Sequence, residues 1–583
     1  MTSVEVPRSA RWLLGLAAVA IAFAAADTYV VVLALPDMMT ASGLGIDELQ
    51  RGAPIISGFL LGYVAILPLI GRISDLRGRV PVLLGSLVIF ALGSVITATG
   101  YDLDSIVIGR LIQGIGGGGL IPPTLALVAD LWPPERRGLP LGVVGAVQEL
   151  GSVLGPLYGA AVLAFGTWRD IFWVNCAVAL VLLAAVLTLR RSSPDLPGPA
   201  RAGRPDWIGL LLLATAMTAL ALVMAEPDRL TTGVTSGLAF LPVTGESRWL
   251  TPLALTLYGL LVLLVVRTLT ARRPLVDWRS WRQIAAQTDL PGAAFLAVAL
   301  GAVIIAFASA EPETTAISPA ARWLLPLAAA AALGFWWRQR RATTAIVPRG
   351  ALSHRVAWGS LVVSFFIGAS LIAALVDIPF FARLTVYSDS QLDAALVLVR
   401  FLVALPVGAL LGGWLLRYVP AATLTAAAMT VSAVSFWHMS TWDHDALLHT
   451  AETGSLIAAG LGFGVAIAPV NAALLEHTAD AVHGVASALL IVARMVGMLI
   501  GISALTTIGL RAFHAASEKI PSAEDLCGGQ AELCQAYRDA VQDAGITQLH
   551  AVFVGAAVCA AVAAVLALTL MRRSHPRGST LKP

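Results

Sequence analysis

Lysine is almost missing from this chain. Of its 38 basic residues only Lys519 and Lys582 are lysines, which removes enzyme chemistry that needs a buried lysine. No Gly-Lys-Ser/Thr tripeptide occurs either, so the chain carries no Walker-type nucleotide site of its own. Charge of both signs is scarce: 13% of the 583 residues are charged and 58% are hydrophobic, where a soluble domain carries about a quarter charged. So few charges cannot cover a water-facing surface of this size, and the mean hydropathy of +0.82 agrees that lipid is most of the solvent. The net charge of +3 is too small to argue for a nucleic-acid partner, and the positive charges sit in separate loops, so none is expected. No residue pattern calls for a metal ion or an organic cofactor. The four cysteines divide into two kinds. Cys176 and Cys559 lie inside apolar runs and read as small core residues. Cys527 and Cys534 lie in a polar stretch with Gly528-Gly529 between them.

What the chain has is apolar runs of bilayer length. A helix needs about 20 such residues to cross the hydrocarbon core. They fall near 12–35, 53–71, 80–99, 105–130, 139–165, 170–189, 206–226, 249–269, 290–309, 321–337, 357–381, 392–416, 419–440, 453–475, 484–510 and 547–571, which makes sixteen expected spans. The expected fold class is an all-α polytopic membrane protein. Arg8 and Arg11 ahead of an apolar run that reaches Ala24-Ala25-Ala26 also fit a signal peptide, but the run resumes after Asp27 through Leu35. That gives one span with an acid inside it. With the N-terminus cytoplasmic and the sides alternating, most Lys and Arg fall in cytoplasmic segments, as the positive-inside rule asks. Both termini are then expected inside, in a bacterial cytoplasmic membrane. Residues 511–545 become the longest outer loop, with an acidic excess and good helix formers toward Ala544. On that oxidising side a Cys527–Cys534 disulfide is expected.

The middle of the chain repeats. Asp206-Trp207-Ile208-Gly209 opens an apolar run ending at Glu226-Pro227, and Arg248-Trp249-Leu250 opens the next, ending in Arg272-Arg273-Pro274. About 80 residues later, Asp289-Leu290-Pro291-Gly292 leads to Glu311-Pro312, and Arg322-Trp323-Leu324 leads to Arg340-Arg341. This reads as a duplicated helical hairpin. Removing both hairpins leaves six spans, a linker and six spans, so the expected domains are 1–190, a linker of 191–350 and 351–583.

Several motifs fall within these spans. Gly71-Arg72-Ile73-Ser74-Asp75-Leu76-Arg77-Gly78-Arg79 joins the second and third spans. Arg110-Leu111-Ile112-Gln113-Gly114 lies in the fourth. A charge costs about 2.5–3.5 kcal/mol at the membrane centre, so Arg110 faces a partner or a polar cavity, or sits near the outer interface as a structural group. Gly114-Ile115-Gly116-Gly117-Gly118-Gly119 fits a dinucleotide pattern, but no strand precedes it, and close helix contact explains it better. Gly151-Ser152-Val153-Leu154-Gly155-Pro156-Leu157-Tyr158-Gly159 places a glycine stripe on the fifth span, with Glu149 pointing elsewhere.

These motifs resemble those of the major facilitator superfamily, two six-helix bundles with inserted linker helices. The loop resembles G-x-L-x-D-R-x-G-R, with Leu76 in place of an arginine. The fifth span resembles the antiporter motif G-x-x-x-G-P-x-x-G. Asp27-Thr28-Tyr29-Val30-Val31-Val32-Leu33-Ala34-Leu35-Pro36 resembles the first-helix motif of the fourteen-helix drug:proton antiporters, D-x-T-x-V-N-x-A-L-P. Together with Ala493-Arg494-Met495-Val496-Gly497-Met498-Leu499-Ile500-Gly501, they are similar to the mycobacterial exporters of lipids and drugs that work beside a periplasmic lipoprotein. The resemblance implies proton-coupled export of lipophilic molecules such as triacylglycerides, by a monomer, with membrane lipid around it and an extracytoplasmic lipoprotein as partner. It implies proton coupling through Asp27, Glu149, Arg110 and Arg494, a substrate cavity with Tyr29, Val32, Gln148, Arg400 and Asp377, and conformational motifs at Gly71, Asp75, Gly78, Arg79, Asp130, Gly151, Gly155, Pro156 and Gly159. Two alternatives stay open: a broad multidrug:proton antiporter, and a membrane-embedded enzyme. For the latter, His438, His444 and His449 gather near one outer loop, but no nucleophile motif accompanies them.

Overall fold

The computed structural model describes residues 7–44, 49–52, 54–192, 206–271, 278–308, 320–387, 391–522, 526–527 and 535–572, and among them it is built from helices. In chain order the main ones are α1 (Arg8–Ala41), α2 (Pro54–Ala65), α3 (Leu67–Arg77), α4 (Arg79–Ala98), α5 (Leu103–Gly118), α6 (Ile121–Leu131), α7 (Gly138–Phe165), α8 (Trp168–Ser192), α9 (Trp207–Ala225) and α10 (Pro252–Thr270). Then follow α11 (Trp278–Gln287), α12 (Leu290–Ala308), α13 (Ala321–Arg341), α14 (Arg355–Leu384), α15 (Gln391–Leu415), α16 (Ala421–Met439), α17 (Thr450–Glu476), α18 (His483–Ser517) and α19 (Gln535–Leu570).

Each of the sixteen expected spans falls on a helix, or on two helices in line. Fourteen of them, among the described residues, are long and apolar enough to cross a membrane. The two that fall short are α13 and α16. Helix α13 carries Trp336-Trp337 and ends in Arg338, Arg340 and Arg341, while Ser, Thr and Ala dilute the apolar content of α16. Two spans break for local reasons. Pro68 lacks the N–H that would continue α2 into α3, and Pro122-Pro123 restarts the fourth span as α6.

Packing groups the chain into two compact units. The first comprises residues 1–124, 154–301 and 330–346, and α5 is its hub. Its glycines let two neighbours in to backbone distance. A Cβ on Gly114 would meet the carbonyl of Phe59 on α2 at 2.1 Å, and one on Gly116 would meet the amide of Phe90 on α4 at 2.3 Å. The glycine run that imitates a nucleotide loop is therefore a helix-packing surface. At the turn between α3 and α4, Gly78 has φ +95°, a conformation that side chains resist. Across that turn Asp75 pairs with Arg79.

The second unit comprises residues 125–153, 302–329 and 347–583. Five of its helices contribute one fully buried phenylalanine each: Phe381, Phe401, Phe436, Phe463 and Phe553. Their ring centroids lie 5.9–6.4 Å apart along the chain 401–463–436–553–381, a spacing suited to edge and offset ring contacts. The first part of α7 belongs here, with Gly142 against the carbonyl of Ala409 on α15.

The duplicated hairpins carry the same clasp. Asp206 caps α9 through the amide of Gly209 at 3.1 Å and takes Arg267 of α10 at 2.8 Å. Asp289 caps α12 through the amide of Gly292 at 3.1 Å and takes Arg338 of α13 at 2.9 Å. At the other end of the first hairpin Glu226 pairs with Arg248 at 3.4 Å. Its counterpart Glu311 lies outside the described residues.

Candidate functional site

The most closely knit buried polar group in the first unit forms around Asp27. Helix α1 carries Asp27, which is fully buried. Helix α5 brings Arg110 and, one turn on, Gln113 to the same face; both are fully buried. The start of α5 is held by Asp102, whose side chain caps the amide of Ser105 at 2.9 Å. Helix α8 adds Asn175, also fully buried.

Arg110 Nη1 donates to Asp27 Oδ2 at 2.5 Å and to Gln113 Oε1 at 2.7 Å. Gln113 Nε2 donates to Asp27 Oδ1 at 3.1 Å and to Ser94 Oγ of α4 at 3.0 Å. Asn175 Nδ2 also donates to Asp27 Oδ1. One carboxylate thus has an arginine and two amides as donors. The guanidinium is held from its other sides as well: Nε donates to the carbonyl of Ile55 at 3.3 Å, and its carbon lies 4.3 Å from the ring centre of Phe59 and 5.7 Å from that of Phe172. A buried ion pair is tolerable only with such full satisfaction.

The antiporter-like stripe grips α1 on both sides of this acid. A Cβ on Gly155 would meet the carbonyl of Ala26 at 2.5 Å, and one on Gly159 would meet a methyl of Val30 at 2.6 Å. In the second unit α18 docks on α14 in the same manner, with Gly497 against the carbonyl of Phe365 and Gly501 against Ala369. There Gly368 of α14 in turn lies against the carbonyl of Arg494.

The other residues singled out from sequence are dispersed. Glu149 and Arg494 are half-buried. The charge of Arg494 acts on the Glu149 carboxylate, but no ion pair within 4 Å joins them. Arg400 donates to the Thr453 hydroxyl at 2.9 Å. Gln148 and Asp377 are half-buried on α7 and α14. Tyr29 and Val32 lie on α1, with side chains outside the described set. Asp130 is exposed at the end of α6. It acts with Asp480, Glu135 and Glu476 on Arg137, whose guanidinium is pushed below its ordinary pKa by burial and pushed back by these carboxylates. Cys527 is disulfide-bonded, Cys176 and Cys559 are free, and Cys534 lies outside the described residues. His438 pairs with Glu452 at 3.3 Å and His444 with Asp543 at 2.6 Å, so these histidines join acids on neighbouring segments. No group of three or more metal-ligating side chains occurs among the described residues.

Sequence reasoning passed over Asn175, Ser94 and the hydrogen-bonding role of Gln113. The signal for Asn175 was available, since a lone asparagine in an otherwise apolar span needs a partner.

A model of the Major Facilitator Superfamily matches residues 17–337. The chain is 36% identical to a triacylglyceride transporter of Mycolicibacterium hassiacum, over 96% of this chain and 92% of that one. It is 33% identical to a triacylglyceride transporter of Mycobacteroides abscessus, over 90% and 87%. A triacylglyceride transporter of Mycobacterium tuberculosis is 34% identical over 85% and 82%. Among solved structures, the proton:xylose symporter XylE shares the fold with a TM-score of 0.55 at 13% identity, covering 97% of this chain and 95% of that one. The human organic anion transporter MFSD10 does so with 0.52 at 15%, covering 96% and 100%.

Proposed function

The chain belongs to the Major Facilitator Superfamily, and on that footing we propose that it is a proton-coupled exporter of lipophilic molecules, triacylglycerides among them. It works in a bacterial cytoplasmic membrane with both termini inside. It is a transporter, not an enzyme. The substrate class is supported by relatives that carry the triacylglyceride transporter name over most of both chains. Proton coupling is supported by one observation above all: a fully buried carboxylate, Asp27, whose partner is an equally buried Arg110.

Charge explains why that pair suits coupling. Ionised Asp27 neutralises Arg110 where neither could stand alone. A proton on Asp27 cancels the carboxylate charge and frees Arg110 to seek another acceptor. Proton binding and the ion pair therefore exclude each other, and one proton exchanges two arrangements of α1 and α5. The close glycine contacts of α7 on α1 lie on both sides of that acid and support this reading. Glu149 and Arg494 form a second carboxylate and cation in this reading, and an outer-face lipoprotein would receive the exported lipid.

The test is export from proteoliposomes, with labelled triacylglyceride and a cationic dye measured separately, each with and without a pH gradient. Gradient-dependent triacylglyceride export that Asp27→Asn abolishes supports the proposal. Export by wild-type protein that ignores the gradient would remove proton coupling, and transport of the dye alone would remove the lipid assignment.

A further inference from the structure

The polar group at Asp27 extends one step farther, to the glycine-rich stretch of α7. The Tyr158 hydroxyl lies 3.0 Å from the carbonyl of Ile171 and 3.3 Å from Asn175 Oδ1. It has one proton to donate and two acceptors within reach. The orientation of Asn175 is dictated by its other neighbour. An ionised carboxylate only accepts, so the amide must turn its NH2 to Asp27 and its oxygen to Tyr158. While Asp27 is ionised the donors run one way: Tyr158 O–H to Asn175 Oδ1, and Asn175 N–H to Asp27 Oδ1.

A proton on Asp27 reverses that demand. The neutral acid has an O–H to give, and Gln113 Oε1 already accepts from Arg110. A half-turn of the Asn175 amide, about a terminal torsion that is close to two-fold, brings Oδ1 to the acid and Nδ2 to the Tyr158 oxygen. The tyrosine then gives its own proton to the carbonyl of Ile171, which is already within reach. Each polar group keeps a partner in both arrangements, so neither leaves a buried group unsatisfied.

Resting on the reading of Asp27 as the proton site, we infer that Asn175 and Tyr158 are positioning residues that form a two-state switch reporting the proton on Asp27 to α7. Their placement suits that role. Tyr158 lies between Gly155 and Gly159, the two points where α7 touches α1 on either side of Asp27. The hydroxyl that reads the acid thus sits on the same turn that grips the helix carrying it.

The test uses full-length protein in proteoliposomes with labelled triacylglyceride. Tyr158→Phe keeps the ring and its packing on Phe23, so folding should survive. It and Asn175→Leu should each slow gradient-driven export about tenfold, the scale of one buried hydrogen bond. Each should leave labelled triacylglyceride binding unchanged and displace the pH midpoint of export by about half a unit or more. Because the two act as one unit, the double variant should be no slower than the worse single. Wild-type rates and an unmoved pH midpoint in both singles would overturn the switch, and so would multiplied defects in the double variant. Asp27→Asn, run alongside, separates the two claims. Normal export from it refutes the proton site itself, whereas a dead Asp27→Asn beside normal Tyr158→Phe and Asn175→Leu refutes only the switch.

Discussion

Arg110→Met is the perturbation that puts the buried pair under most stress. It removes the guanidinium but keeps a long apolar side chain beside Phe59 and Phe172. Asp27 then keeps its amide donors Gln113 and Asn175 but loses the one charged partner that lies within hydrogen-bonding distance among the described residues. Both members of the pair are inaccessible to solvent, so water cannot replace the lost cation. Breaking one side of such a pair costs about 3–5 kcal/mol, whereas replacing both partners by apolar groups of similar volume is often neutral or stabilising. Arg110→Met should therefore lower thermal stability in detergent strongly. Asp27→Leu with Arg110→Met should return it close to wild type. The same double variant should export nothing, because no proton carrier remains at that site. The assay is a thermal unfolding scan of the four proteins of the cycle, paired with gradient-driven export from proteoliposomes. Three results would refute the reasoning: an Arg110→Met protein as stable as wild type, a double variant whose losses simply add, or a double variant that exports normally.

Other expectations follow from single contacts. Gly155→Ala should damage folding or transport more than Gly159→Ala, because its Cβ would strike the backbone carbonyl of Ala26 rather than a side-chain methyl of Val30; Gly15→Ala, with open space around it, serves as the neutral control in the same assays. The Asp206 carboxyl is held below the ordinary carboxylate range by the hydrogen bonds from Arg267, so its stabilising effect is present above the unfolded pKa of about 3.9 and is lost as pH falls through the lower folded value. Wild type should therefore be more stable than Asp206→Asn at pH 7, with the gap closing in strong acid, and a pH-independent gap would argue against the clasp. Alkylation of the denatured protein without reductant should label Cys176 and Cys559 but not Cys527, as read by peptide mass spectrometry.

The membrane class was legible because it depends on sums. The shortage of charge, the lengths of the apolar runs and the asymmetry of the loop arginines each report on lipid as the solvent, whatever the packing inside. The duplicated hairpin was legible for a similar reason: its landmarks recur in order, and the structure shows the aspartates of both copies capping a helix and holding an arginine in the same way. The two spans that fall short of a crossing by composition, α13 and α16, mark the limit of this kind of reading, since Trp and Arg or Ser and Thr blur the ends of an apolar run.

The Asp27 group was legible only as separate residues. Asp27 and Arg110 each announced themselves as charges that a membrane span would not carry without purpose, yet nothing in their separation along the chain says that they touch. Asn175 and Ser94 left weaker marks, because an amide or a hydroxyl costs far less to bury than a charge. Glu149 and Arg494 stood out in the same way, as charges inside spans, and the charge of one acts on the other without an ion pair between them. The sequence by itself determined which residues could not face lipid and which helices were smooth enough to pack closely, because burial cost and side-chain volume are properties of single residues. Only the tertiary structure decided which of them meet, because the azimuth of each helix is set by its neighbours: α5 turned Arg110 and Gln113 toward α1, α8 turned Asn175 to the same acid, and the α7 glycines brought Tyr158 within reach of that asparagine.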